Sequence, residues 1–447
     1  MKIHLIGIGG IGVSALAQYY LSKEHDVSGS DLVASELTDF LKEKGAKIKI
    51  GEHKAKNISK ELDLVVYSPA VKTDNLELLK AKEYKIKTAS YPEALGELTN
   101  KYYTIAVSGA HGKSTTTAMI ALVLVKAGLD PTVVVGTKVK EFNNSNFRPG
   151  KSKFLVIEAC EYDSSFLHYL PRVIVVTNVD KEHLDYFKTF KNIIRAFKDF
   201  ILKLSLDDFL VFNKDDKYIP RINNPKFEVK GYSIKQKDSA KLKKILKVPG
   251  MHNVSNALAA LEVARILEIP DKVSFFALSD FKGTWRRFQI KEASVGNKKI
   301  TVVSDYGHHP TEVLATLKAV REKYLYPPKF SKGKIRRARK RIWCVFQPHQ
   351  HQRTYYLFND FVKVFRSSPI DKIIITDIYD VAGRETKKIN AGVSSKKLVK
   401  KINKKNIIYL PLRKVESFIK KNIESGDILV VMGAGDIYKL ADKFYFF

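Results

Sequence analysis

Two glycine-rich turns, each entered from an apolar run and left into a helical pattern, constrain this chain more than any other feature. The first is "IHLIGIGGIG", Ile3 to Gly12, which spells G-x-G-x-x-G after a strand and so fits a dinucleotide or nucleotide-sugar domain. The second is "TIAVSGAHGKSTTTAMIALVLVKAG", Thr104 to Gly128, a strand, a phosphate loop and a helix in succession. Both turns belong to parallel sheets with helices packed on them, and the question is why one chain carries two.

The second turn departs from the usual G-x-x-x-x-G-K-[ST], which would place its first glycine at Val107. Gly109-Ala110-His111-Gly112-Lys113-Ser114 is a shorter loop with the same functional end, followed by Thr115. Glycines let backbone N–H groups approach phosphate oxygens, the helix N-terminus carries roughly half a positive charge, and Lys113 adds a full one. Ser114 can place its hydroxyl on Mg²⁺; a purely structural turn is the alternative. In the first turn Asp31 follows about twenty residues on, at a strand end where an acid can accept from a ribose. A redox NAD site would explain that pattern alone, as would glycines needed only for tight packing. Beside a phosphate-transferring site, an anionic nucleotide-linked substrate fits better.

The 447 residues exceed one ordinary core, and 45% hydrophobic residues can build two to four. No apolar run reaches the roughly eighteen residues of a bilayer span, and the N-terminus has no basic region ahead of a cleavable apolar stretch. Cys160 and Cys344 are too few for a disulfide framework. These features predict a cytoplasmic protein without stable membrane insertion. The formal charge of +31 raises nucleic acid as a partner. The lysines are scattered, however, and no zinc spacing or RNP-like strand accompanies them, so no nucleic acid is expected. The basic run "PPKFSKGKIRRARKR", Pro327 to Arg341, reads as a solvated loop, with an acidic partner or membrane surface as the minority alternative.

Alternating strands and helices continue along the chain. "KFLVIEAC" and "RVIVVTNV" end near Glu158 and Asn178, at the carboxyl edge where open α/β sheets bind ligands. Glu158, and His183 in "TNVDKEHLD", are residue types that bind divalent metal beside a triphosphate. "GMHNVSNALAALEVARIL" predicts a helix with Asn253 and Asn256 three apart, where amides can read a base edge, or where Asn253 simply caps. "WRRF" offers Arg287, and "SDYGHHP" offers Asp305, His308 and His309.

Taken together, "GIGGIG", "GAHGKSTTT", "EACEYD", "TNVDKEHLDYF", "GMHNVSNALAA", "FKGTWRRF", "SDYGHHPTEVLATLKAV", "FQPHQHQRT", "TDIYDVAGRE" and "VMGAGDI" resemble, in order, the Mur ligases of bacterial cell-wall synthesis. The resemblance implies an α/β chain of three domains: a Rossmann-like UDP-sugar domain over 1–98, a central P-loop ATPase domain over 99–281, and a C-terminal Rossmann-like domain over 282–447 closing over ATP and the amino acid. It implies that ATP phosphorylates the carboxylate of UDP-N-acetylmuramate and that the amine of L-alanine attacks the acyl phosphate, a step in peptidoglycan precursor synthesis. The first loop would then hold the UDP-sugar and the second ATP.

By motif position, Gly9, Gly10, Ile11, Gly12, Asp31, Ser68 and His111 would bind the UDP-sugar. Gly109 to Thr115, Asn253, Asn256, Arg287 and Asp305 would bind ATP, with Asp305 on its ribose. Lys113 would hold the β- and γ-phosphates, and Ser114, Glu158 and His183 would serve Mg²⁺. His308, His349 and Arg353 would line the amino-acid and phosphoryl end. Three departures stand out: S-G-A-H-G-K-S for G-T-H-G-K-T, "EACEYD" for E-A-D-E-S-D, and Gln350 for an arginine. A peptide-recycling ligase of the same family, and an NAD- or nucleic-acid-binding protein with an idle ATP site, remain as alternatives, and the oligomeric state stays open.

Overall fold

The computed structural model describes residues 1–325, 340–380 and 392–444. Most of the basic run at 327–341, and the "VAGRE" part of "TDIYDVAGRE", lie outside the described residues. The chain divides into two compact units. One comprises Met1–Asp180, Lys191–Leu242 and Ser255–Lys282; the other comprises Lys181–Phe190, Lys243–Val254 and Gly283–Phe447.

The first unit holds two sheets. Strands β1 (Lys2–Ile6), β2 (Asp26–Asp31), β3 (Lys47–Ile50), β4 (Leu64–Tyr67) and β5 (Lys87–Ser90) form an all-parallel sheet in the order β3-β2-β1-β4-β5. In β1 every residue after Lys2 is buried, as expected of a central parallel strand covered on both faces. The helix Ile11–Ser22 leaves the first glycine turn with no side chain capping it. The helix Tyr91–Thr99 starts on a reciprocal Ser90/Glu93 capping box with Pro92 in its first turn, so its start is written in the local sequence.

Strands β6 (Tyr103–Ser108), β7 (Thr132–Val139), β8 (Ser145–Arg148), β9 (Phe154–Glu158), β10 (Val173–Val176), β11 (Phe209–Asn213) and β12 (Glu228–Tyr232) form the second sheet, ordered β12-β11-β10-β6-β9-β7-β8, with β8 antiparallel at its edge. From β6 the chain turns through the phosphate loop into the helix Lys113–Lys126, whose residues Ser114 to Leu124 are all buried. A helix buried on every side needs cover on every side, and the helix Asp271–Asp280 and the sheet supply it. Asn146, fully buried on β8, ties the two sheets together. Its Nδ2 donates to the Ile11 carbonyl and to Ser14 Oγ (3.0 Å), while Gln18 Nε2 donates to its Oδ1 at 2.8 Å.

In the second unit β13 (Gln289–Val295), β14 (Lys298–Asp305), β15 (Ile342–Phe346), β16 (Lys372–Ile375), β17 (Ile407–Tyr409) and β18 (Ile428–Met432) form a sheet ordered β13-β14-β18-β15-β16-β17, parallel except for β13. Strand alternation splits β15 between two cores. Ile342, Cys344 and Phe346 join Phe361 and Phe365 on one face; Trp343 and Val345 join Val415 and Ile419 on the other. Trp343 Nε1 donates to Asp427 Oδ2 at 3.0 Å, and Arg341, the last residue of the basic run, pairs with the same carboxylate at 2.8 Å. Among the described residues, no helix is long and apolar enough to cross a membrane.

Candidate functional site

The phosphate loop is built by the ends of β6 and β10. The His111 N–H donates to Asn178 Oδ1 (2.8 Å), and Ala110 N–H to the Asn178 carbonyl (3.0 Å). Thr177 Oγ1 donates to the His111 carbonyl (2.6 Å), and the His111 ring Nε2 lies 3.0 Å from Asp180 Oδ2. Gly112 enters the helix at φ +83°, where any Cβ would be strained and would also stand 2.5 Å from Asn256 Oδ1. No side chain caps the helix that starts at Lys113, so its first-turn amides face the loop as an anion cradle.

Lys113 folds back over this cradle. Its Nζ donates to the carbonyls of Gly109 (2.6 Å) and Ala110 (3.2 Å) and to the Glu161 carboxylate (2.9 Å). Burial works against the lysine's charge, but Glu161 outweighs it and holds Lys113 above its ordinary range. Glu158, at the end of β9, accepts from the Gly136 N–H at 2.9 Å. Ser114 and Glu158 both lie in this unit, and a hydroxyl with a carboxylate is a hard-oxygen set suited to Mg²⁺. Cys160 stands where an aspartate is commoner; burial first, and Glu161 next, push its thiol up to about 12, so it adds no charge.

At the first loop, Gly10 N–H donates to the Gly7 carbonyl (3.1 Å), and Gly9 N–H to Asp31 Oδ2 (2.8 Å). Ile11 and Gly12 begin the helix there, and Ser68 lies against Gly7, where an added Cβ would meet Ser68 Cβ at 3.0 Å. Asp31 therefore organises the loop as well as standing beside it.

The other expected residues lie in the second unit. Arg353 Nη2 pairs with Glu182 Oε2 at 3.1 Å, and its Nη1 lies 3.1 Å from His349 Nδ1. His349 stacks on Tyr379 with ring centroids 5.4 Å apart and meets His308 edge-on at 5.8 Å. Burial opposes the Glu182 charge, yet Arg353 and His309 hold its carboxyl well below the usual range. Burial and then Arg353 lower His308 to about 4. His183, at φ +55°, stands at the N-terminal end of the short helix Leu184–Phe187 without a side-chain capping bond. With Lys181, Asp185, Gln350, Gln352 and Arg353 it lines a small cavity. Gln350 has φ +70° and ψ 130°, a conformation that favours glycine, and its N–H donates to the Tyr379 carbonyl.

Several of the expected residues also have partners within the protein. Asp305, expected to face a ribose, turns inward: Oδ2 accepts from Phe288 N–H (2.8 Å), and Oδ1 from Gly307 N–H (2.8 Å) and Thr316 Oγ1 (3.1 Å). Asn253 and Asn256 do different things, since Asn253 Nδ2 donates to the Pro249 carbonyl (2.7 Å) while Asn256 lies against Gly112. Arg287 is paired with Glu312 at 3.1 Å, whereas its neighbour Arg286 is the buried one. Arg286 donates to the carbonyls of Gly433 and Gly435 and sits 4.5 Å from the Tyr438 ring. Glu161, Asp180, Glu182, Arg286 and Glu312 were not singled out in the sequence, although all five fall inside the quoted motifs, and Asn178 was named there only as a strand end.

Three family models match in order: the Mur ligase family catalytic domain over residues 2–103, the Mur ligase middle domain over 107–248, and the Mur ligase glutamate ligase domain over 286–435. A UDP-N-acetylmuramate–L-alanine ligase of Clostridium botulinum is 39% identical over 466 residues, covering 99% of this chain and 97% of its own. This chain belongs to the Mur ligase family. One of the same name from Clostridium tetani is 40% identical over 470 residues, with the same coverage. The crystal structure of the Thermotoga maritima UDP-N-acetylmuramate-alanine ligase superposes at a TM-score of 0.77, with 26% identity over 99% of this chain and 98% of that one. A murein peptide ligase from Psychrobacter arcticus, 21% identical, shares the fold at a TM-score of 0.70, again covering 99% and 98%. The three-domain α/β architecture of the Mur ligases is thus the architecture of this chain, and Mur ligases are ATP-dependent.

Proposed function

We propose that this Mur ligase joins L-alanine to the carboxylate of UDP-N-acetylmuramate at the expense of ATP. The observation that carries the proposal is the full-length likeness, at 39% and 40% identity, to relatives with that activity in their names. In this reading a carboxylate oxygen of the muramate takes the γ-phosphoryl group and ADP leaves. The alanine nitrogen then attacks the acyl carbon, phosphate leaves, and an amide remains. Negative charge builds on the phosphoryl oxygens and then on the tetrahedral centre, so fixed cations and N–H donors lower both barriers.

Lys113 and the amides of Gly112 to Thr115 hold the β- and γ-phosphates, and Asn256 buttresses the loop they form. Ser114 and Glu158 hold Mg²⁺, which neutralises phosphate charge when bound. Gly9 to Gly12, Asp31 and Ser68 hold the UDP-sugar. Arg287 acts on phosphate, and His308, His349 and Arg353 act at the amino-acid and phosphoryl end, with one positive charge fewer than usual because Gln350 replaces arginine. The same proposal places the domain boundaries at 98/99 and 281/282 and the reaction in the cytoplasm, where ATP is made available.

Release of ADP and phosphate tests it. Turnover should require ATP, Mg²⁺, UDP-N-acetylmuramate and L-alanine together. Equal turnover without UDP-N-acetylmuramate, or a preference for a ready-made peptide over L-alanine, would sink the assignment.

A further inference from the structure

Beneath the first glycine loop lies a buried polar cluster that the reaction does not use. The side chain of Glu77, on the helix Leu76–Glu83, has no solvent exposure. One carboxylate oxygen accepts from Asn57 Nδ2 at 2.5 Å; the other accepts from Ser30 Oγ, with His53 Nδ1 at 3.3 Å and His4 Nε2 at 3.4 Å. His4 is itself buried on β1, and its Nδ1 lies 2.9 Å from Ser28 Oγ on β2. Glu77 thus joins its own helix to β1, to β2 and to the Asn57 turn.

What hangs from this cluster is the loop. The Ser30 carbonyl accepts from Gly7 N–H (2.8 Å) and Ile8 N–H (3.1 Å), and the next residue, Asp31, accepts from Gly9 N–H (2.8 Å). Three consecutive loop amides are therefore set by the end of β2, and the Ser30 hydroxyl anchors that strand end to Glu77. A buried charge is a poor way to gain stability, since apolar groups of the same shape do as well or better. A fully hydrogen-bonded carboxylate does fix the positions of its donors. Burial pushes the Glu77 pKa up, but hydrogen bonds from His4, Ser30 and Asn57 bring it down to about 2, so the anchor carries its charge at neutral pH.

We infer that Glu77, acting through Ser30, is a positioning residue for the UDP-sugar: it sets the amide groups of Gly7 to Gly9 and the Asp31 carboxylate in the geometry that binds the ligand. The inference rests on the sugar-binding role proposed for the first loop. It assigns specificity for that ligand to a side chain that never touches it.

Calorimetric binding of UDP-N-acetylmuramate and of ATP to the full chain separates the outcomes. Ser30→Ala, which removes only the anchoring hydroxyl, and Glu77→Gln should each weaken UDP-N-acetylmuramate binding by roughly tenfold, the loss of one to two hydrogen bonds. ATP binding should stay within about twofold by the same scale. Ser30→Thr, which keeps the hydroxyl, should bind the sugar nearly as wild type does, and kcat at saturating sugar should move far less than affinity. Should Glu77→Gln fail to fold, the Ser30 pair alone decides. Unchanged sugar affinity in folded Ser30→Ala, or equal loss of sugar and ATP binding, would overturn the inference. Failure of the wild-type protein to bind UDP-N-acetylmuramate would instead remove the proposed function on which it rests.

Discussion

Lys113 Nζ lies 2.9 Å from Glu161 Oε2, in a pair almost closed to solvent on both sides. The lysine proposed to meet ATP is therefore held by a carboxylate of its own unit, with which nucleotide phosphate would compete for the same charge. Removing one member of such a pair leaves the other buried without compensation. Lys113→Ala should abolish turnover and also cost about 3–5 kcal/mol of stability. The double variant Lys113→Ala/Glu161→Gln should recover most of the stability and none of the turnover. Denaturant titration alongside ADP release reads both, and a double variant as unstable as the single one would mean that Glu161 is not the lysine's counter-charge.

Gly136 matters through Glu158. A Cβ at position 136 would stand 2.8 Å from Glu158 Oε2, too close for the carboxylate to stay where the Gly136 N–H now holds it. Gly136→Ala should raise the Mg²⁺ concentration for half-maximal turnover roughly tenfold, the usual effect of disturbing a group that orients a metal ligand. An unchanged Mg²⁺ titration, in a variant that melts like wild type, would detach Glu158 from the metal.

Acid should destabilise the second unit through two histidines. Burial, reinforced by Arg287 at His252 and by Arg353 at His308, lowers both to about 4. As pH falls below about 6.5 the unfolded chain takes up these protons before the folded one does, so stability is full above that value and declines toward pH 4. Each histidine should contribute a slope of about 1.4 kcal/mol per pH unit within that window. His252→Gln should flatten the curve by one such increment in denaturation at pH 7, 6 and 5; a steeper curve would reverse the sign of the argument.

The adjacent arginines should separate cleanly. Arg286 is buried against Tyr438 and holds two carbonyls of the Gly433–Gly435 turn, so Arg286→Ala should cost about 3 kcal/mol of stability. Arg287→Lys keeps a cation beside Glu312 and should stay within about 1 kcal/mol of wild type while losing at least tenfold in turnover, since a point charge would not replace the planar guanidinium at the proposed phosphate contact. Unfolding midpoints and kcat measured on both variants check this, and a larger stability loss from Arg287→Lys would exchange the two roles.

Both glycine loops were legible because everything that makes them is local: an apolar run, glycines at fixed spacing and the start of a helix. Other features were not. The edge strand β12 reads "EVKGY" and is mostly exposed, so no buried periodicity marks it. β7 is interrupted by Gly136, which a strand scan takes as a break. The paired acids escaped for a different reason. Glu161 meets a lysine 48 positions away and Glu182 an arginine 171 away, so that no spacing rule connects them. Asp305 was expected on a ribose and Asn253 at a base edge or a cap, and only the fold reveals that internal donors and acceptors already engage them.

The two compact units each draw three separate stretches from the chain, with Lys181–Phe190 and Lys243–Val254 counted alongside the C-terminal residues. Linear order and spatial membership therefore disagree, and a gene fusion that exchanges the last third of this protein for that of a relative would carry mismatched halves of one unit. Chimaeras should respect all three stretches at once. For the same reason the second unit closes on contacts between stretches far apart in the chain, so its assembly draws on long-range pairing rather than on neighbours in sequence.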